Sequence, residues 1–511
     1  MFHVKHSPAG GRAPALLRAF LVVVMAAGLV AGCVATRDVN PITGNKRLYG
    51  YTWEEEIQSG READPQIVAQ FGLYEDEALA EYVRRVGEKV LAHSHLRHQN
   101  AEPRFRNLAF TFRVLDSPVV NAFALPGGYV YVTRGLLAHL ENEAQLAVVL
   151  GHEIGHVAGR HASKRAASQS LLQLGLITGA VVGQGIFGGN TAEQVLNLGS
   201  TGLQLLFLSY GRDDERESDD VGVEYAAKAG YKVGEAAAFF RTLERLSAQS
   251  NQRLPSFLST HPDPGEREQT ILRYAAEWEA RINLTEVGRD AFLARIDGIV
   301  LGDNPRQGFV EDGLFYHPDL RFQFPVPPNY QVINEPARVL LVAPDQQALM
   351  LFTIEAQAKT ARDAAGRFAA QEGITVVDSG PSTAGGNPAY YVEARARTQD
   401  GQNLGLLAYF IEYGGNVYAF TGYTLASLYE TYADVFTMTM RGFARLTDPR
   451  ILNVQPVRLA VETASRAAPF HTFVPEAGRL PRGWDVERMA ILNQVERNTP
   501  VEPGRKLKLV R

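Results

Sequence analysis

The sequence predicts an α+β fold spread over several domains: a mainly helical unit with a small β-sheet, then an antiparallel α+β unit, then a small C-terminal module. Three observations predict it. The chain has 511 residues, room for roughly three domains of ordinary size. Across residues 53–290 the apolar side chains recur mostly at helical spacing, whereas across 313–447 they alternate at strand spacing. Between these stretches, residues 291–312 include Asp303-Asn304-Pro305-Arg306, which reads as a linker. At 45% hydrophobic and 21% charged residues the composition is that of globular proteins, so each unit can build a core. The net charge is −5, and no long basic run follows residue 18. That excludes nucleic acid as a partner.

Taken in order, the chain begins with Lys5, Arg12 and Arg18, then an apolar run Ala19–Val30, then Val30-Ala31-Gly32-Cys33 with the single cysteine. This layout resembles a bacterial lipoprotein signal peptide. The resemblance implies removal of residues 1–32, acylation of Cys33 and a tether over 33–52. More than one acyl chain anchors stably to a membrane. Val34 after the cysteine, by the same resemblance, implies the outer membrane, facing the periplasm. From Trp53 the pattern is helical, with Glu54-Glu55-Glu56 as an acidic first turn. Leu79, Tyr82, Val83, Val86 and Val90 form the stripe of a second helix. Phe110–Asp116 and Tyr129–Thr133 read as strands, the latter following a Pro126-Gly127-Gly128 turn.

Glu143–Leu150 runs without a break into Gly151-His152-Glu153-Ile154-Gly155-His156. On a helix His152 and His156 share a face, so two imidazoles can hold one Zn²⁺ while Glu153 takes a proton from water. Catalytic zinc takes three protein ligands. A third His six residues on is excluded, because position 162 is Ala and His161 falls one residue early. A carboxylate from a later helix is available: Glu215, Asp219, Gly222 and Ala226 fall at i, i+4, i+7 and i+11. Two carboxylates followed by two small residues suit close packing around a metal. Glu215 is therefore expected as third ligand and Asp219 as the acceptor orienting a liganding His; Glu217, off that face, is the competitor. The uncharged stretches within 166–211 are long enough to span a bilayer, but their many Gly, Gln and Asn residues favour a helical hairpin packed on the first unit or touching the membrane surface over a true span.

Asn121-Ala-Phe-Ala-Leu-Pro-Gly-Gly128, Glu143-Ala144, Leu150–His156, Glu215-Arg-Glu-Ser-Asp219 and Ala229-Gly230-Tyr231 together resemble the HtpX, CAAX-prenyl-protease and BepA type of zinc metallopeptidase, over about residues 38–275. The resemblance implies a zincin-like fold across 53–290 and one Zn²⁺ per chain, on His152, His156 and Glu215. Ser218 stands where that family has Ala. Asn121, Ala122 and Phe123 would be a strand that holds substrate in extended form, or part of an ordinary hairpin. Ser259-Thr-His261-Pro262 through Arg267 resembles the family's His-Pro element; either His261 approaches the zinc and displaces its water, or His-Pro merely begins a helix. The implied function is endopeptidase action on misfolded or unassembled envelope proteins, with Glu153 as general base. The alternative is a chaperone-like assembly factor with low or latent activity. Outer-membrane assembly machinery is an implied partner.

In the second half, Leu320–Pro325, Val339–Val342, Leu349–Ile354, Tyr390–Ala396, Gly405–Glu412 and Val417–Tyr423 read as strands, with helices over Thr360–Gln371 and Leu428–Phe443. The order faintly resembles PsbP/Mog-like domains over 313–447. Residues 448–511 end in helix, Asn, Pro-Gly turn and short basic strand, similar to the second half of a LysM-type module, which would bind peptidoglycan.

Overall fold

The computed structural model describes residues 36–168, 210–249, 257, 261, 264–397 and 401–511. Cys33, the leader before it and nearly all of the uncharged 166–211 stretch lie outside the described residues. Among the described residues no helix is long and apolar enough to cross a membrane. The architecture is α+β and multidomain.

A hairpin of β1 (Thr36–Val39) and β2 (Lys46–Tyr49) comes first. Asn40 holds its turn by accepting from the N–H groups of Ile42 and Thr43. Helix α1 (Trp53–Phe71) starts at the acidic turn, where Thr52 and Glu55 form a reciprocal capping box. Helix α2 (Glu77–Leu91) buries the Leu79, Tyr82, Val83, Val86 and Val90 stripe. The small sheet follows, built from β3 (Thr111–Leu115), β4 (Ala122–Leu125) and β5 (Tyr129–Thr133) in the order β3-β5-β4. β3 runs parallel to β5, and β4 folds back antiparallel through Pro126-Gly127-Gly128, so β4 is an edge strand. Both glycines of that turn have positive φ (81° and 88°), which Cβ-bearing residues rarely adopt.

Helices α3 (Arg134–His139), α4 (Glu143–Gly159), α5 (Arg212–Lys228), α6 (Ala236–Gln249), α7 (Pro264–Glu279) and α8 (Arg289–Ile296) complete this unit. Asn142 caps α4 by accepting from the Gln145 N–H, and α4 ends where Arg160 turns left-handed at φ 56°. Every residue from Ala144 to Gly159 is buried, so α4 is a central rod rather than an amphipathic surface helix. α5 lies hard against it, and the small residues anticipated on α5 are what permit this. A Cβ on Gly222 would fall 2.6 Å from the His152 backbone N, and one on Gly151 would fall 2.6 Å from the Gly222 carbonyl.

The accessory unit comprises β6 (Phe309–Glu311), β7 (Leu314–His317), β8 (Phe322–Pro325), β9 (Gln331–Glu335), β10 (Arg338–Val342), β11 (Ala348–Ile354), α9 (Ala361–Ala369), β12 (Ile374–Ala384), β13 (Asn387–Arg397), β14 (Asn403–Tyr413), β15 (Asn416–Leu425), α10 (Tyr429–Arg441) and β16 (Ala444–Arg445). Its sheets run β16-β8-β7-β6 and β12-β13-β14-β15-β11-β10-β9, with every pairing antiparallel. One face of the larger sheet buries Phe352 and Phe420 with Phe322, Phe324 and α10's Phe436. The other buries Leu406 and Phe410 under α9's Ala365 and Phe368.

The tail contains β17 (Leu459–Thr463), β18 (Ala468–Pro469), α11 (Val486–Leu492), β19 (Pro500–Val501) and β20 (Lys506–Val510). Leu459, Phe470, Met489, Leu492 and Leu507 belong to the same buried cluster as Val83, Leu146 and Ile154 of the first unit. Lys508 is fully buried there. Its ammonium donates to the carbonyls of Ala138 and Leu140 at 3.0 and 2.7 Å and pairs with Glu141 at 2.9 Å, satisfying carbonyls that the end of α3 leaves open.

Candidate metal centre

Four buried groups from three places converge. α4 supplies His152 and His156, α5 supplies Glu215, and His261 enters from the stretch before α7; their ligand atoms all lie within 4.8 Å of one another. His152 Nε2 is 2.9 Å from His156 Nε2 and 3.2 Å from His261 Nδ1. Glu215 carboxylate oxygens lie 3.5 Å from each α4 imidazole and 3.0 Å from His261 Nδ1. Ligand atoms around a tetrahedral ion with bonds of 2.0–2.1 Å would stand about 3.3 Å apart, so the spacing fits one.

The outer nitrogens make the same point. His152 Nδ1 lies 2.9 Å from Asp219 Oδ1, which places its proton there and leaves Nε2 with a lone pair. His156 Nδ1 is 3.0 Å from His161 Nδ1, and His161 Nε2 is 2.9 Å from Glu217 Oε2. Inward-facing nitrogens and a carboxylate at these distances repel unless a metal ion or a shared proton lies between them. Arg267 closes the back of the site. It donates to both Asp219 oxygens at 2.9 and 2.5 Å and approaches Glu215 at 3.3 Å.

The electrostatics follow from burial. Burial and Arg267 push the His152 pKa down, but Asp219 and Glu215 outweigh them and hold it up at about 9. Burial presses His156 well below the usual imidazole range. For Glu215 burial acts upward and is outweighed by His261, His152 and His156, which leave the carboxyl well below its ordinary value. Burial raises the pKa of Glu153, against the pull of His261 and His152. Glu153 is 0% exposed. Among the described residues neither of its carboxylate oxygens has a hydrogen-bond partner, and one lies 3.6 Å from His261 Nε2. A buried unpaired carboxylate beside a ligand cluster is costly structurally, and it is placed to take up a proton.

The sequence-derived residues thus fall as follows. His152, His156, Glu215 and His261 are brought together; Asp219 stands behind His152; Glu153 borders the cluster. Glu217, the competitor, is not in the cluster: it accepts from both Arg47 guanidinium nitrogens at 3.0 Å and meets His161. Asn121 is buried just ahead of β4, and Ala122 and Phe123 lie in that edge strand beside α4. His161 had been set aside as a ligand by its spacing, and its place behind His156 was missed. So was Tyr210, whose ring stacks on His156 with centroids 3.9 Å apart. The Arg six residues after His261 was the one signal for Arg267.

An HExxH helix crossed by a helix bearing a carboxylate, beside a small sheet whose edge strand is β4, defines an HExxH metallopeptidase site. In agreement, the chain carries a domain, residues 77–275, that matches Peptidase family M48. Metalloendopeptidase OMA1, mitochondrial, of Bos taurus is 31% identical over 245 residues, 46% of this chain and 45% of that protein. The Beta-barrel assembly-enhancing protease of Escherichia coli strain K12 is 27% identical over 303 residues, 58% of this chain and 59% of that protein. The chain thus spans about half the length of the curated relatives it matches. The solution structure of cyanobacterial PsbP from Synechocystis covers 26% of this chain and 91% of its own length at 17% identity, with a TM-score of 0.22, too low to carry the accessory unit's fold.

Proposed function

We propose that the chain is a zinc-dependent endopeptidase of the cell envelope, acting on misfolded or unassembled proteins. The observation that carries this reading is the convergence of four inward-facing ligand atoms beside an unpartnered, fully buried Glu153. His152, His156 and Glu215 would hold the metal. When bound, zinc supplies Lewis acidity, polarising a scissile carbonyl and lowering the pKa of a water. Glu153 takes the proton of the attacking water and passes it to the leaving amine. Its raised pKa suits both halves of that shuttle. Asp219, held by Arg267, keeps His152 in the tautomer that offers Nε2. β4 is the edge strand on which an extended substrate would add as a further strand, with Asn121, Ala122 and Phe123 at its start. The Escherichia coli relative is named for enhancing β-barrel assembly, which supports unassembled outer-membrane proteins as substrates. A lipid anchor at Cys33 would hold the enzyme at the outer membrane, and peptidoglycan is a candidate ligand for residues 448–511.

A second reading, a latent peptidase with an assembly role, is favoured by one observation: His261 Nδ1 already fills a corner of the ligand cluster. Zinc content and cleavage of an unfolded outer-membrane protein, compared between wild type, Glu153→Gln and His261→Ala, test both readings. Glu153→Gln should keep its zinc and lose cleavage by roughly 10²–10⁴-fold, and His261→Ala should cleave faster. A freshly purified, folded protein without zinc would overturn the first reading; unchanged or slower cleavage by His261→Ala would overturn the latch.

A further inference from the structure

A cavity of about 670 Å³ lies between the first unit and the accessory sheets, within the size range of ligand sites. Two much smaller cavities, of about 10 and 20 Å³, are lined by His156 and by Glu215 with Asp219. Its walls include Phe71 and Val119 on one side and Val310, Val332, Ile333 and Asn334 on the other. Val119 and Val310 are 41% and 45% exposed there.

The far wall is a strand edge. β9 is the last strand of its sheet. It joins β10 through the two residues Pro336-Ala337, with Glu335 opposite Arg338. In such a hairpin the flanking pair exchanges hydrogen bonds and the pattern alternates. Val332 and Asn334 therefore turn their N–H and C=O groups away from β10, and among the described residues these backbone groups have no partner. The opposite edge of the same sheet is built differently. β12 carries a bulge between Val376 and Asp378, and Pro381 within the strand, features that prevent edge pairing. β9, Gln331-Val-Ile-Asn-Glu335, has neither.

We propose that this cleft is a second, non-catalytic binding site for an extended polypeptide segment, which adds to the sheet as a strand on β9. The proposal rests on the peptidase reading above and names where such a substrate is held away from the metal. Two further observations point to this occupant. The near wall, Ser117 to Val119, continues along the chain to β4. Val119 to Ala122 is at most about 10 Å of chain, so the near wall of the cleft lies within that distance of the start of β4. Of the carboxylates that line the cleft, Asp116 is paired with Arg134 and Glu335 with Arg338, which leaves the exposed Asp303 as the one without an ion pair among the described residues. The wall therefore favours a neutral or basic apolar segment over an acidic one.

The test uses the full chain with Glu153→Gln, so that binding is read without cleavage. The probes are two fluorescent Val/Thr/Tyr-rich peptides with Lys ends. One of about 20 residues reaches both edges, and one of about six reaches only the metal site. Val332→Pro deletes an N–H that β10 does not use and blocks the edge. It should weaken binding of the long peptide by about tenfold or more, the scale of one or two lost hydrogen bonds with their packing, and leave the short peptide unchanged. In the active chain it should raise KM for the long peptide and spare kcat/KM for the short one. Val310→Lys, on the same wall as Val332 but outside β9, should act in the same direction and keeps the question open to test if Val332→Pro fails to fold by circular dichroism. Equal binding of the long peptide by parent and folded variants would overturn the proposal. So would a change from dimer to monomer in Val332→Pro, which would assign the edge to a second copy. Long-peptide binding that needs Val332 in a chain that cleaves nothing would overturn the peptidase reading and leave the cleft standing.

Discussion

Gly222→Ala tests how the two metal-bearing helices are held. The added methyl would sit 2.6 Å from His152 N, 2.9 Å from His152 Cα and 3.0 Å from Gly151 C, all backbone atoms of a buried helix that cannot rotate aside. Ordinary contact begins at 3.4 Å, so α4 and α5 must part by about 0.8 Å at the turn that carries His152. Overpacking of this kind costs about 1–3 kcal/mol, against a helix-propensity gain of about 1 kcal/mol. A net loss of up to about 2 kcal/mol lowers Tm by up to roughly 8 °C in a unit of this size. The effect on the metal is the sharper readout. Metal–ligand distances tolerate about 0.2 Å, so Glu215 and the α4 imidazoles can no longer close on one ion. Zinc affinity, measured by competition with a chromophoric chelator, should fall by at least about tenfold, the scale seen when ligand support is lost. Gly366→Ala is the control, because a Cβ there meets nothing within 4 Å; it should leave zinc binding alone and melt no lower. A Gly222→Ala protein that melts, binds zinc and cleaves as wild type would refute the close-contact argument.

Two other outcomes are expected. Glu217→Gln weakens the chain of contacts behind His156 without touching the cluster, so zinc affinity should drop roughly 10–100-fold with stoichiometry kept at one; complete loss of metal would instead make Glu217 a ligand. Burial holds the His139 pKa down at about 4, against its hydrogen bond to the Gly135 carbonyl, and burial likewise holds His317 at about 4. The unfolded chain therefore takes up protons between the ordinary 6.5 and 4 where the folded one does not. The stability these groups contribute is complete above pH 6.5 and lost as pH falls towards 4. His139→Gln should flatten the slope of unfolding free energy in that window, and an unchanged slope would refute this account.

The parts of the site legible in the sequence were those set by spacing on single helices. His152 and His156 four apart, and Glu215, Asp219, Gly222 and Ala226 on one face of α5, were fixed by local geometry, and the small residues on α5 announced a close crossing. His161 was not legible, because its position depends on the left-handed turn at Arg160. That conformation is uncommon for a residue with a Cβ, and it swings the next imidazole back behind His156. Arg267 reaches Asp219 across 48 residues, beyond any local period. In the accessory unit the central strands β10, β11 and β13 to β15 stood out as runs rich in apolar and aromatic residues. The edge strands β6, β9 and β12 did not, being short, polar or interrupted by Pro381. The tail's helix and last strand were readable, but their burial in the first unit's core, with Lys508 as an internal cap, is a long-range fact.

The hairpin β1–β2 grips both metal-bearing helices. Arg160, at the end of α4, stacks on Tyr49 at 3.9 Å and pairs with Asp38 at 2.7 Å, and Arg47 pairs with Glu217 of α5. An acylated Cys33 would stand three residues from Thr36, a leash of at most roughly 11 Å when fully drawn out. Such a protein would work as a bench clamped to the bilayer rather than as a buoy on a line. Its metal-bearing helices would keep a fixed height and a restricted tilt above the lipid, and only chains emerging within that shallow layer would come under its reach.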